Sequence, residues 1–296
     1  MVTRYKFSEK LFSLFNVVFL SFLALVCVYP LLYVVFASFS DPKLLMQHEG
    51  LLLSPRGFTL KGYALVLNNP NIRIGFLNTF FYVIAGTAIS MILTCFGAYA
   101  LSRKRVYFAK HILIFITITM FFSGGLIPFY LTVKGLGLNN TRWAIIIPSA
   151  ISTWNMIVMR TSFMALPASL EESARIDGAN DFTILFRIII PLSKAIMAVM
   201  ILFYSVGMWN SWFNASIFLN DRKAYPIQLI LREILILNDK GDMLQVLHGV
   251  SAQSEDMYRQ LVQYTTIVVA TVPILFVYPF LQKYFVKGII VGSLKG

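Results

Sequence analysis

The sequence predicts an all-α integral membrane protein that crosses the bilayer six times. Three observations carry this. Of 296 residues, 58% are hydrophobic and only 13% charged, about half the charged share of a soluble domain. Six apolar runs approach or exceed the ~20 residues a spanning helix needs. All 38 charged residues, 25 basic and 13 acidic, lie in the tails and connections between the trimmed runs.

The runs fall at about 14–37, 76–101, 112–133, 143–159, 195–219 and 260–282. The fourth is the shortest, and the sixth is free of charge once trimmed to 261–282. The first is too long for a signal-peptide core and lacks a convincing cleavage site, so it is expected to stay in the mature protein. Orientation follows from Lys and Arg close to the membrane. With the N-terminus inside, the inner segments hold Arg4, Lys6 and Lys10; Arg103, Lys104, Arg105 and Lys110; Arg160, Arg175, Arg187 and Lys194; and Lys283, Lys287 and Lys295. The short 102–111 link carries this signal most clearly. Both termini are therefore expected in the cytoplasm, with long outer connections at about 38–75 and 220–259 and a long inner one at about 160–194.

The net charge of +12 and pI near 9.7 would suggest nucleic acid in a soluble chain. Basic residues set between apolar runs point instead to membrane lipid, with no nucleic-acid partner. Cys27 and Cys95 sit inside apolar runs, and His48, His111 and His248 are far apart. They form no metal site and no catalytic constellation. No G-x-x-x-x-G-K-[ST] phosphate loop is present, so the chain cannot hydrolyse ATP by that route. Ion-coupled carriers place ionisable side chains inside their spans, and these six runs have none.

The inner connection is the segment with an ordered pattern. Ser169 followed by Glu172 has the spacing of a capping box that starts a helix. Gly178 is placed to end it in the left-handed conformation, and Asp181 to cap a second helix. That second helix carries Phe182, Leu185, Phe186 and Ile189 on one apolar face, and Pro191 stops it before the fifth run. Such a helix–turn–helix can insert into a groove on a partner or rest on the membrane surface.

Glu172-Ser173-Ala174, three residues, Gly178, nine residues, then Ile188-x-Ile190-Pro191 resembles the EAA signature, E-A-A-x3-G-x9-I-x-L-P, of binding-protein-dependent ABC importers. Ser173 and Ile190 are mild departures. Six spans and a long outer loop before the last resemble the MalG-type permeases of maltose and multiple-sugar importers. Phe122-Ser-Gly-Gly-Leu-Ile-Pro128, Trp209-Asn-Ser-Trp212 and the terminal 288–296 are similar to the LplC/YtcP-like and alginate-importer branches.

The resemblance implies one permease domain over 1–296 with the ABC type I importer fold, in a bacterial cytoplasmic (inner) membrane. It implies import of carbohydrate, and of oligosaccharide in particular. Peptides or amino acids are the alternative cargo, since the same motif serves their permeases. The implied partners are a second homologous permease, two copies of an ABC ATPase that binds ATP and Mg, and an extracellular sugar-binding protein. The coupling loop falls at about 164–194, with Glu171, Glu172, Ser173, Ala174, Asp177, Gly178, Ile188 and Pro191 as its candidate ATPase-coupling residues. The outer loop at about 220–259 is expected to reach the binding protein.

A sugar pathway needs aromatic faces and hydrogen-bonding groups together. On a straight fifth span, Ser205, Trp209, Trp212 and Ser216 share one stripe, while Gly207, Asn210 and Asn214 lie nearly opposite. The Trp stripe is the expected pathway and Asn210 the residue of the competing face, where Asn can serve as interhelical glue. The tryptophans could equally be interface anchors. Gly97, Gly124 and Gly125 are expected to allow close helix packing.

Overall fold

In the computed structural model, which describes residues 7–103, 105–237 and 258–276, the chain is helical. Among the described residues there is no strand, only an isolated antiparallel bridge between Ser40 and Phe58. The contacts gather into two units.

The first unit holds the described parts of 1–69 and 234–271. Helix α1 (Phe7–Ser38) runs for 32 residues, and its apolar side chains, Leu11 to Leu32, are largely exposed. Asp41 then caps the short α2 (Pro42–Met46), accepting the Lys43 and Leu44 N–H groups. Helix α3 (Lys61–Asn68) follows. Gly62 sits so close to the helix over 258–276 that a Cβ there would meet Leu261 Cγ at 2.9 Å. Polar ties fasten α3 and the irregular segment before it to α1. The Leu52 N–H donates to the Tyr29 hydroxyl at 3.0 Å, and Ser38 and Tyr63 share a hydroxyl bond of 2.8 Å.

The second unit is built around α4 (Pro70–Ser102), 33 residues long. After it come α5 (Ala109–Ile118), α6 (Leu126–Gly135), α7 (Trp143–Ile146), α8 (Thr153–Met164), α9 (Ala168–Ile176) and α10 (Asp181–Ile184). A π turn (Leu185–Ile189) leads from α10 into α11 (Ile190–Leu192); then follow α12 (Lys194–Trp209), α13 (Phe213–Phe218) and α14 (Ile227–Arg232). Helices α8, α12 and α14 pack on α4. The largest core cluster joins Met91, Cys95 and Ala98 of α4 to Phe163, Ile184, Leu185, Ile189 and Met200. Small residues permit the approach. A Cβ on Gly86 would meet Met208 Cε at 2.8 Å, and one on Gly75 would lie 3.3 Å from the Ile227 Cα. The buried hydroxyls of Thr94 and Tyr204 pair at 2.6 Å across α4 and α12, as a buried polar group must.

The first two apolar runs are single helices long enough to cross a bilayer, Ser8–Ser38 and Pro70–Ser102. The next three expected spans are interrupted, each for a local reason. In 112–133 the helix ends at Ile118 and resumes at Leu126 after Gly125, whose φ is +84°. Gly124 and Gly125 are helix breakers here, not packing sites: a Cβ on Gly125 would meet nothing within 4 Å. Gly97 does match its expected role, lying 3.1 Å from Met156 Sδ by the same measure. In 143–159, Pro148 cannot supply the N–H that would continue α7, and Ser152 caps α8 through the Asn155 N–H. In 195–219, α12 stops at Trp209 and Ser211 Oγ donates to the Met208 carbonyl at 2.6 Å. The sixth run is helical over 258–276 and then leaves the described residues.

Candidate coupling site

The site is assembled from α9, the turn after it and α10. The capping box expected at Ser169 and Glu172 does not form. The helix begins two residues earlier, with Pro167 as its N-cap residue and no side-chain cap. Proline's fixed φ, here −58°, already suits a helix entry. The exit is as expected: Gly178 has φ +83°. The Ala179 N–H reaches the Ala174 carbonyl at 2.9 Å, and the Gly178 N–H the Arg175 carbonyl at 3.0 Å. That pair of bonds is the Schellman closure.

Asp181 does not cap the second helix. Asn180 does, accepting the Thr183 N–H at 2.8 Å. Asp181 stands one residue inside, where its carboxylate is free for other cations. The expected apolar face also shifts. Ile184, Leu185 and Ile189 are buried, whereas Phe182 and Phe186 are exposed and meet Phe96 edge-on. The π turn changes the helical phase between these positions. It lies just before Pro191, which has no N–H to give the residue 187 carbonyl. After Leu192 the chain turns through 88° into α12.

Five charged side chains and one phenol tie the loop to the end of α4. Arg103 donates to Glu171 Oε2, to the Phe163 carbonyl at 3.3 Å, and stacks on Tyr99 at 4.9 Å. Arg175 donates to Glu171 Oε1 at 2.6 Å and to Asp181 Oδ1 at 2.7 Å. Arg105 and the Tyr99 hydroxyl also donate to Asp181 Oδ1, the latter at 3.2 Å. Nearby, Arg160 Nε holds the Leu101 carbonyl at 2.8 Å. Burial pushes the Glu171 carboxyl up, but hydrogen bonds and charge from Arg175 and Arg103 outweigh it and hold it below its ordinary value. Hydrogen bonding from Arg175 does the same for Asp181, with Arg105 adding its charge.

This network separates two faces of α9. Glu171 points inward, with only 13% of its side chain exposed, and Ala174 packs on the core. Glu172, Ser173, Asp177 and Gly178 are exposed, as is Ile176 at 86%. Ile188 lies within the π turn and Pro191 in α11, in the segment that leads to α12. The bracing role of Arg103 and Arg105 was not foreseen. In sequence they read only as orientation charges; their nearness to an acidic motif is visible only after folding.

The expected pathway stripe does not survive the break after Trp209, because Ser205 and Trp209 belong to α12 and Ser216 to α13. Ser205 shares a hydroxyl bond of 3.2 Å with Thr87. Trp209 is buried, 5% exposed, against Phe76 and Phe80 at 6.4 and 5.9 Å. Its indole N–H has no hydrogen-bond partner among the described residues. Trp212 lies under the Arg232 guanidinium at 4.4 Å. Asn210 is exposed and donates to the Val206 carbonyl at 3.0 Å. Asn214 reaches Ser149 at 3.4 Å, the inter-element role expected of that face. Asn78, unremarked in the sequence, donates to the Lys223 and Tyr225 carbonyls and accepts from Arg142, pinning the start of the 220–259 connection. Residues 238–257 of that connection, and 277–296, lie outside the described residues.

No family model matches the chain. It is 41% identical over 290 residues to the polygalacturonan/rhamnogalacturonan transport system permease protein YtcP of Bacillus subtilis strain 168, covering 97% of this chain and 99% of that one. Protein LplC of the same organism is 39% identical over 287 residues, covering 97% and 96%. The arabinooligosaccharides transport system permease protein AraQ of Halalkalibacterium halodurans is 27% identical over 284 residues, covering 93% and 94%. Among solved structures, a chain of a bacterial ABC transporter that imports the acidic polysaccharide alginate superposes with a TM-score of 0.87 at 32% identity, covering 96% of this chain and all of that one.

Proposed function

The chain belongs to the permease family of sugar ABC transporters, and on that premise we propose that it forms half of the translocation pathway of an oligosaccharide importer in a bacterial cytoplasmic membrane. Its relatives carry polygalacturonan, rhamnogalacturonan and arabinooligosaccharides, and the matching structure alginate. Residues 1–296 make one type I permease domain with six crossings, the third to fifth interrupted, and both termini in the cytoplasm. It pairs with a second homologous permease, above two ATPase copies that bind ATP and Mg. An extracellular sugar-binding protein delivers cargo to the outer side, where the 220–259 loop meets it.

The observation that carries this reading is the two-faced α9. Its inner side is locked to the end of α4 through Glu171, Arg103 and Arg175, while Glu172, Ser173, Ile176 and Asp177 stand exposed. A helix so held transmits a push rather than absorbing it. Movement of an ATPase gripping the exposed side passes through the network to α4, and through α11 and the 88° bend to α12. The substrate pathway is proposed beside Trp212 and Arg232, at the break after α12, with Asn210 exposed next to it.

The test is uptake in a strain deleted for the chain and complemented with it, in which an ABC ATPase and a sugar-binding protein are also expressed. Labelled oligogalacturonide, alginate oligosaccharide, galactooligosaccharide and a dipeptide are supplied in turn. ATP-dependent uptake of an oligosaccharide is expected. Uptake of the dipeptide with no sugar taken up would contradict the reading.

A further inference from the structure

A cavity of about 480 Å³ opens beside the coupling network. Phe96, Ala100, Phe182 and Leu185 make its apolar wall, and Arg103 and Arg105 stand at its edge. We propose that it seats an anionic phospholipid, with an acyl chain against the phenylalanines and the phosphate on Arg105. The proposal rests on the reading that α4 and α5 lie in a membrane.

Position and charge both favour this occupant. The cavity lies where α4 ends and the 103–108 link leads back to the apolar α5, so it falls at the depth of lipid headgroups. Tyr107 and Phe108 in that link are 88% and 72% exposed, as expected of aromatics at a membrane interface. The network holds three arginines, Arg103, Arg105 and Arg175, against two carboxylates, Glu171 and Asp181, which leaves one positive charge in excess.

Among the described residues that line the cavity, Arg105 is the more exposed of the two cations. Asp181 Oδ1 accepts from Arg175, from Tyr99 and from Arg105 at once. If Arg105 turns to a phosphate, Asp181 keeps two donors. The Arg105 side chain is 51% exposed, against 12% for Arg103. A headgroup there would loosen one of the three ties on Asp181 and so touch the coupling loop directly.

The experiment uses the full chain in nanodiscs of phosphatidylcholine mixed with phosphatidylglycerol, with retained lipid counted by native mass spectrometry. The wild type should hold phosphatidylglycerol over phosphatidylcholine by about fivefold, the worth of one surface cation. Arg105→Gln should abolish the preference, and Arg105→Lys should keep it. Asp181→Asn, which removes the competing carboxylate, should strengthen it. Equal retention of both lipids by wild type and Arg105→Gln would overturn the proposal. Loss of the preference in millimolar inorganic phosphate would do the same, showing an anion site without a lipid. A photocrosslinker at Phe182 that captures the ATPase or second permease in the assembled importer would also overturn it. Retention is read without sugar or ATP, so its failure is distinct from a failure of transport.

Discussion

Gly178 is the residue on which the shape of the loop between α9 and α10 turns. Its φ of +83° penalises any side chain, although a Cβ there would meet nothing within 4 Å. The obstacle is backbone conformation alone, about 1 kcal/mol or more. Asparagine and aspartate tolerate that conformation and β-branched residues do not. Gly178→Asn and Gly178→Asp should therefore retain much of the transport rate, while Gly178→Val leaves the chain in the membrane with uptake lost. Equal uptake by all three variants would show that the turn does not matter. The glycine was legible in the sequence because the αL cap follows from its position. The caps at Ser169 and Asp181 were misplaced by one or two residues, since Pro167 and Asn180 compete for the same helix starts.

At the scale of the element, the network is what makes α9 rigid. Glu171→Gln leaves the Arg103 guanidinium without its carboxylate in a mostly buried place, a loss of about 3 kcal/mol. Hydrogen exchange over 168–181 should speed up, and ATP hydrolysis should uncouple from uptake. The pH dependence has a definite sign. Both Glu171 and Asp181 have folded values lowered from 4.5 and 3.8. Their contribution is fully present above those unfolded values and is lost as pH falls through the lowered folded ones. Protection of the α9 amides, measured against their intrinsic base-catalysed exchange rates, should therefore be flat near neutrality and fall only in acid. A loss of protection on going from neutral to mildly alkaline pH would contradict the pairing. The two tryptophans separate in the same way. Trp209→Ala empties a buried site and should cost about 3–5 kcal/mol, lowering the amount of assembled protein. Trp212→Ala should spare assembly and reduce sugar uptake. Normal assembly of Trp209→Ala would contradict a packing role for this side chain.

Over the whole molecule, the apolar runs were plain from composition, because a bilayer demands them. Their interruptions were harder to see. Gly125, Pro148 and the Asn210-Ser211 pair lie inside runs whose hydropathy is continuous, so a count of apolar residues passes over them. The charge network was harder still, since it joins residues 99–105 to 171–181. Long-range pairing of that kind leaves no local pattern. Single cysteines at Lys10, Arg56, Lys110, Lys134, Glu172 and Lys223 would map the crossings. With six crossings and an inner N-terminus, a membrane-impermeant thiol reagent applied from outside should label those at 56, 134 and 223 only. Labelling at 10 or 172 would reverse the orientation.

The most direct measurement is disulfide or bismaleimide crosslinking between α9 and the ATPase in the assembled importer. Cys27 and Cys95 are first replaced by serine and alanine. Glu172→Cys, Ser173→Cys and Asp177→Cys should each crosslink to the ATPase, in a yield that changes with ATP, while Ala174→Cys, turned to the core, should not. Crosslinking from 174 but not from 172 or 173, or from none of the four, would contradict the assignment of this helix face as the coupling contact.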